Sequence, residues 1–227
     1  MMKEEEKLYT KELYDLSHTA AAPLLEGTTY PWEALPQIGA FIRELGAGLS
    51  LEEYDHPQED VWIHKTAKIY PNNFIAGPCV IGAGTEVRPG AFIRGNALVG
   101  ENCVVGNSTE LKNVILFDSV QVPHYNYVGD SILGYKSHMG AGSITSNVKS
   151  DKLLVKIHAE DGEIETGRKK VGAMLGDQVE VGCGSVLNPG TVIGRESNIY
   201  PLSSVRGCVN ARSIYKRQGE VAEKREQ

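Results

Sequence analysis

Through the middle of the chain an aliphatic residue returns at every sixth position: Ile63, Ile69, Ile75, Ile81, Val87, Ile93, Val99, Val105 and Leu111. A helix buries a residue every 3.6 positions and a strand every second one, so a strict period of six describes a small unit laid down repeatedly. Gly follows several of these residues, as in Ile81-Gly82, Val99-Gly100 and Val105-Gly106, where a chain turning sharply or packing backbone on backbone needs it. The pattern predicts short strands separated by tight corners. Three such strands close one triangular coil, and roughly twenty units make about six to seven coils around a column of Ile, Val and Leu.

The register runs on to Phe117 and slips. A second phase follows at Tyr127, Leu133, Met139 and Thr145, which predicts about four extra residues bulging out around Gln121 to Tyr125. A non-repetitive stretch, 147–170, interrupts the pattern; within it Leu153 to His158 and Glu163 to Thr166 flank Glu160-Asp161-Gly162 as a β-hairpin would. The repeat resumes at Leu175, Val181, Leu187, Ile193, Ile199 and Val205. The expected organisation is a helical segment over 1–58, a solenoid domain over 59–209 and a polar tail over 210–227. In the first segment Leu8, Leu13 and Leu16 form a weak apolar stripe, and Trp32, Leu35, Ile38, Ile42 and Leu45 a clearer one, starting at Tyr30-Pro31 and stopped by Gly46 and Gly48. Helices ahead of a solenoid are expected to cap its strand edges. The tail reads as a short helix or disordered chain.

Composition agrees with a thin, turn-rich repeat: 25 Gly stand against 4 Phe in 227 residues. A net charge of −6 argues against nucleic-acid partners. No apolar run approaches the ~20 residues of a membrane span and Met1 to Lys7 lacks a signal-type core, so a cytoplasmic location is expected. Cys79, Cys103, Cys183 and Cys208 lie far apart, without the paired spacing of a zinc or dithiol site.

These features resemble the hexapeptide-repeat acyltransferases, which fold as left-handed parallel β-helices and work mostly as trimers. Val87 to Val205 is similar to the acetyltransferase domain of the bifunctional glucosamine-1-phosphate acetyltransferase / N-acetylglucosamine-1-phosphate uridylyltransferases. The likeness rests on Val87-Arg88-Pro89-Gly90, Glu110-Leu111-Lys112, His124-Tyr125-Asn126-Tyr127-Val128-Gly129-Asp130 and Met139 through Asn147. The stretch from Thr166-Gly167-Arg168-Lys169-Lys170 to Asn188-Pro189-Gly190 is similar to the archaeal-type sugar-1-phosphate nucleotidylyltransferases. The resemblance implies a mainly β fold, acetyl-CoA as co-substrate, an amino-sugar-1-phosphate as acceptor, and a homotrimer with sites between subunits.

Acetyl transfer to a sugar amine needs a base, donors for the developing oxyanion and positive charge for the phosphate. Imidazole titrates near neutrality, and the resemblance makes His124 the base. It assigns Arg88 and Lys112 to the sugar phosphate, Tyr127 and Asn147 to the sugar or acetyl group, and the Ala141 backbone to the acyl donor. His138 stands where the bacterial enzymes carry a sugar-contacting Asn. The family's late lysine falls on Leu153 by counting, with Lys152 beside it and Lys156 at a second archaeal-type lysine. By the same resemblance Cys183 and Tyr200 fall at positions that lie near the coenzyme in the family. With about 58 unrelated residues ahead of the coil, neither a nucleotidyltransferase activity nor a metal is expected. Two other readings stand beside this one: a non-catalytic sugar-phosphate or nucleotide-sugar binding or assembly module, and a metal enzyme of the γ-carbonic-anhydrase kind, whose zinc spacing His64, His124 and His138 do not reproduce.

Overall fold

The six-residue units are short parallel strands in the computed structural model, which describes residues 4–217 and 219–224. Strands stack into three walls. The first holds Val61–His64, Cys79–Ile81, Ala97–Val99, the second halves of Glu110–Leu116 and Tyr127–Leu133, then Ala173–Leu175, Thr191–Ile193 and Cys208–Val209. The second runs from Lys68–Ile69 through Val104–Asn107, Gln121–His124 and His138–Met139 to Ser213–Arg217. The third runs from Phe74–Ile75 through the first halves of the two long strands to Ile144–Thr145, Val186–Leu187 and Ser204–Val205. Among the described residues this makes seven complete turns and two strands of an eighth, a β-solenoid slightly longer than expected. Ile81, Val87, Ile93, Val99, Val105 and Leu111 are buried inside it, as the period requires.

The phase slip has a different cause from the bulge expected at Gln121 to Tyr125. Leu116 pairs with Val99 and Leu133, and Val122 with Val105, so the inward residue after Leu111 is Leu116, five positions on. Val128 to Leu133 is also a step of five. Each of these two corners is one residue short; Asn113 and Asp130 turn there with φ of 56° and 47°, left-handed values that Asn and Asp tolerate. Compression merges the flanking strands into the continuous Glu110–Leu116 and Tyr127–Leu133. His124 therefore stays in the ladder, paired with Asn107, at the end of a regular strand. Phe117 points outward, and its ring lies 5.0 Å from that of Tyr14.

That contact introduces the N-terminal segment, which is a strap along one side rather than a cap over one end. Leu13 O accepts from Asp177 N, His18 O from Asp118 N and Leu35 O from Asn113 Nδ2, while the helix Ile38–Ala47 lies on the first-wall strands of the second to fourth turns. The reason is the outward column of the first wall. Trp62, Val80, Leu98, Ile115, Ile132, Met174 and Val192 face away from the prism yet are all buried. A wall apolar on both faces must be covered, and the strap's Leu8, Leu13, Leu25, Trp32, Leu35, Ile38 and Ile42 bury themselves there.

The interruption forms the expected hairpin, Val155–Ala159 with Gly162–Arg168 and Glu160-Asp161 at its tip. Val155 and Ile157 are buried, with Val155 packed over Gly190. The tail is neither helical nor without structure: Glu220–Glu223 pairs antiparallel with Ser213–Arg217, and Tyr215 closes the interior. Among the described residues no helix is long and apolar enough to cross a membrane.

Candidate active site

Residues singled out from the sequence gather along the two borders of the third wall. On the border shared with the second wall, successive corners stack. His124 O accepts from Gly142 N at 3.0 Å, Ala141 O from Gly184 N at 2.8 Å, and Cys183 O from Leu202 N at 2.9 Å. His124, Ala141 and Cys183 thus form one ladder, with Tyr200 at the next corner, and all four are exposed. Buried Asn126 fixes the corner after His124: its Oδ1 accepts from His124 N at 3.0 Å and its Nδ2 donates to Gly140 O at 2.9 Å. The imidazole of His124 has no hydrogen-bond partner among the described residues, and the N–H of Ala141 has no acceptor. Beside this ladder runs a groove of about 370 Å³, lined by Gly140, Val181, Cys183, Ile199, Tyr200 and Pro201 with His138 at its side. His138 Nδ1 lies 2.8 Å from Glu180 Oε2.

The border with the first wall carries charge. Asp130, almost fully buried, takes Lys112 Nζ at 2.9 and 3.0 Å, Asn113 Nδ2 at 2.9 Å and Asn147 Nδ2 at 2.5 Å. Asn147 also donates to Tyr127 Oη at 3.1 Å. Burial, reinforced by the carboxylates of Asp130 and Glu110, pushes the Tyr127 phenol above its usual pKa, keeping it a neutral donor at physiological pH. Lys112, Asn113 and Asp130 open onto a cleft of about 530 Å³ between the strap at Leu35-Pro36 and the returning chain at Gly167 to Lys170. Arg168, Lys169 and Lys170 make no ion pair among the described residues, and Arg168 Nε is buried without a partner. Three uncompensated cations beside Lys112, in a chain of net charge −6, form a ready anion site.

Some expected binders lie elsewhere. Arg88 is on the His124 border, paired with Glu86 at 3.4 Å, so it and Lys112 occupy different edges. Lys156 is held on the hairpin by Glu163 at 3.0 Å and Glu165 at 3.6 Å, and Lys152 sits in an exposed turn with φ of 58°; neither lines the cleft. The residue stacked one turn before Lys112 is Arg94, whose N–H bonds Leu111 O and whose guanidinium meets Glu110 at 2.6 Å. Counting one eighteen-residue turn back from Lys112 would have found it. Asp130, Arg168, Lys169 and Lys170 all lie in stretches quoted for the resemblance, but motif matching gave them no role.

The sequence model of one protein family, described as the GMPPB C-terminal domain, matches residues 75–209. The chain belongs to this family. Among curated relatives, a bifunctional sugar-1-phosphate nucleotidylyltransferase/acetyltransferase of Sulfurisphaera tokodaii is 33% identical over 69% of this chain and 39% of its own length. A bifunctional protein GlmU of Methanococcus maripaludis is 33% identical over 86% of this chain and 48% of its own. The chain thus spans less than half the length of either relative. Solved structures with a similar chain course include a mutant perosamine N-acetyltransferase from Caulobacter crescentus with CoA and GDP-perosamine (16% identity, 73% of this chain and 57% of that one, TM-score 0.38). Another is a mutant of AntD, an N-acyltransferase from Bacillus cereus, with dTDP and coenzyme A (17%, 77% and 92%, TM-score 0.37). The GMPPB C-terminal domain match takes in both borders of the third wall and leaves the strap outside it.

Proposed function

We propose that the chain is an acetyl-CoA-dependent N-acetyltransferase acting on an amino-sugar-1-phosphate, glucosamine-1-phosphate by preference, in the cytoplasm. The observation that carries this reading is the pairing of borders on one open wall: a free imidazole beside an unpaired backbone N–H on one, four cations on the other. The acetyltransferase activity named for the Sulfurisphaera relative supports it.

Lys112 with Arg168, Lys169 and Lys170 holds the phosphate, and Tyr127 and Asn147 orient the sugar ring. The acetyl-CoA arm fits the apolar groove past Cys183 and Tyr200, ending at Ala141. His124 removes a proton from the sugar ammonium, and the freed amine lone pair attacks the thioester carbonyl carbon. The Ala141 N–H stabilises the oxyanion. Collapse breaks the C–S bond, the thiolate takes the proton held on His124 and leaves as coenzyme A thiol, and the attacking nitrogen gives up its second proton to solvent, leaving the neutral amide. Within one chain the two borders are separated by the width of the third wall and His124 lacks an orienting partner, which favours a homotrimer in which a neighbouring copy completes each site.

His124→Ala is expected to reduce acetylation by about 10²- to 10⁴-fold, the usual contribution of a general base, with an unchanged thermal transition because the side chain is exposed. Undiminished turnover in a thiol-release assay would sink the assignment. The unoriented imidazole is the one feature favouring a non-catalytic sugar-phosphate binding module; sugar-phosphate binding without any acetyl transfer would select that reading.

A further inference from the structure

Asp130 is out of place on electrostatic grounds. A buried carboxylate in the floor of a cationic cleft repels the anion that the cleft attracts. Its bonds explain why it is there. One oxygen takes Lys112 and Asn113, the other Lys112 and Asn147, and its main-chain carbonyl takes Gly172 N at 2.8 Å where the chain returns from the interruption. Asn113, 7% exposed, donates at the same time to Leu35 O of the strap at 3.2 Å. Third wall and returning loop therefore meet at Asp130, and the strap reaches it through Asn113.

We infer that Asp130 is the positioning residue of the anion cleft, holding the Lys112 ammonium where a phosphate meets it and the Asn147 amide where the sugar lies, and that Asn113 links this hub to the strap at Leu35. The strap is then part of ligand recognition as well as a cover for the first wall. The inference rests on the anion-binding half of the function proposed above and is independent of acetyl transfer.

The sign of one measurement decides it. Removing a negative charge from a cationic cleft should tighten anion binding if Asp130 acts only through its charge, and should weaken it if Asp130 acts by positioning. The full chain and its Asp130→Asn and Asn113→Ser variants would be titrated calorimetrically with inorganic pyrophosphate and with glucosamine-1-phosphate. Steady-state KM would be measured separately for the acceptor and for acetyl-CoA. Asp130→Asn is expected to weaken pyrophosphate about tenfold and raise the acceptor KM similarly, leaving the acetyl-CoA KM unmoved. Asn113→Ser keeps the charge and is expected to weaken binding about threefold; it also carries the test should Asp130→Asn fail to fold. Equal or tighter pyrophosphate binding by Asp130→Asn overturns the positioning role, and unchanged binding by Asn113→Ser overturns the link to the strap. A wild type that binds pyrophosphate but transfers no acetyl group, with binding lost in Asp130→Asn, removes the acetyltransferase reading and upholds this one. No binding by the wild type overturns both.

Discussion

The first and third walls are built from the same six-residue unit and share one interior, yet they have opposite fates. On the first wall the outward column is Trp62, Val80, Leu98, Ile115, Ile132, Met174 and Val192, all buried. On the third it is Phe74, Phe92, Glu110, Tyr127, Ile144, Val186 and Ser204, none of them buried. Each large aliphatic side chain taken out of water contributes about 1.5–3 kcal/mol, so covering the first wall is a main source of stability. The third wall gives up that gain and keeps its borders accessible for chemistry. What the inward residue does is common to every unit; the outward neighbour decides whether a wall stabilises or binds.

The contrast can be broken from either side. The largest effect is expected from Trp32→Ala, which empties the strap where Pro31–Ala34 packs on Tyr127–Leu133; a loss of about 3–5 kcal/mol should appear in urea unfolding. Gly106→Ala comes next. A Cβ there would overlap the Pro123 backbone, and the strand carrying His124 must shift, costing about 1–3 kcal/mol and most of the acetyl transfer. On the third wall, Phe74→Ser with Phe92→Ser should change the stability of a single chain by no more than about 0.5 kcal/mol each. A fall in assembly size by light scattering for the same variants would show that a neighbouring copy uses this face. The smallest effect concerns Asp177, which accepts Asp15 N at 2.8 Å and Tyr135 N at 2.9 Å and so joins strap to solenoid. Burial raises its carboxyl pKa above the ordinary 3.8. The folded state therefore binds the proton more tightly than the unfolded one, and this group's contribution falls as pH rises from about 3.8 to the raised value, then levels off. Asp177→Asn should remove that slope when unfolding midpoints are compared with the wild type at each pH.

Much of the architecture can be read from a period of six, because each inward side chain must fill the same narrow prism. The phase slip is harder. Leu116 and Phe117 are both large and apolar, so no pattern rule says which turns inward, and the missing residue is absorbed at Asn113 and Asp130, which look like ordinary corner residues. The strap's role, by contrast, is visible in retrospect: runs such as Cys79-Val80-Ile81, Ala97-Leu98-Val99 and Ala173-Met174-Leu175 are apolar on both faces, a signature of strands covered on both sides. The tail's hairpin is not legible in the sequence, because Ile214, Tyr215 and Val221 are too few to establish an alternation. At the site, the repeat itself sets which corners stack, so His124 comes over Ala141 and Lys112 beside Gly129 and Asp130, while Arg88 falls on the other border from Lys112. Lys152 and Lys156 lie away from the cleft, and an interruption has no period by which to place them. The chain re-enters the cleft at Arg168 to Lys170 instead.

A solenoid alone behaves as a one-dimensional stack, each turn resting on its neighbours and free to fray from either end. The strap changes that dimensionality. Gly46 packs on Trp62 in the first turn, while Leu8 and Leu13 lie beside Gly194, Arg195 and Val209 in the last ones. A fluctuation at one end must therefore lift a segment that is also anchored at the other, so turns with no mutual contact should melt together. The order of synthesis adds a constraint of its own: Leu8 and Leu13, made before the strands they rest on, have no seat until residues 194–211 have been laid down, and the strap latches only then.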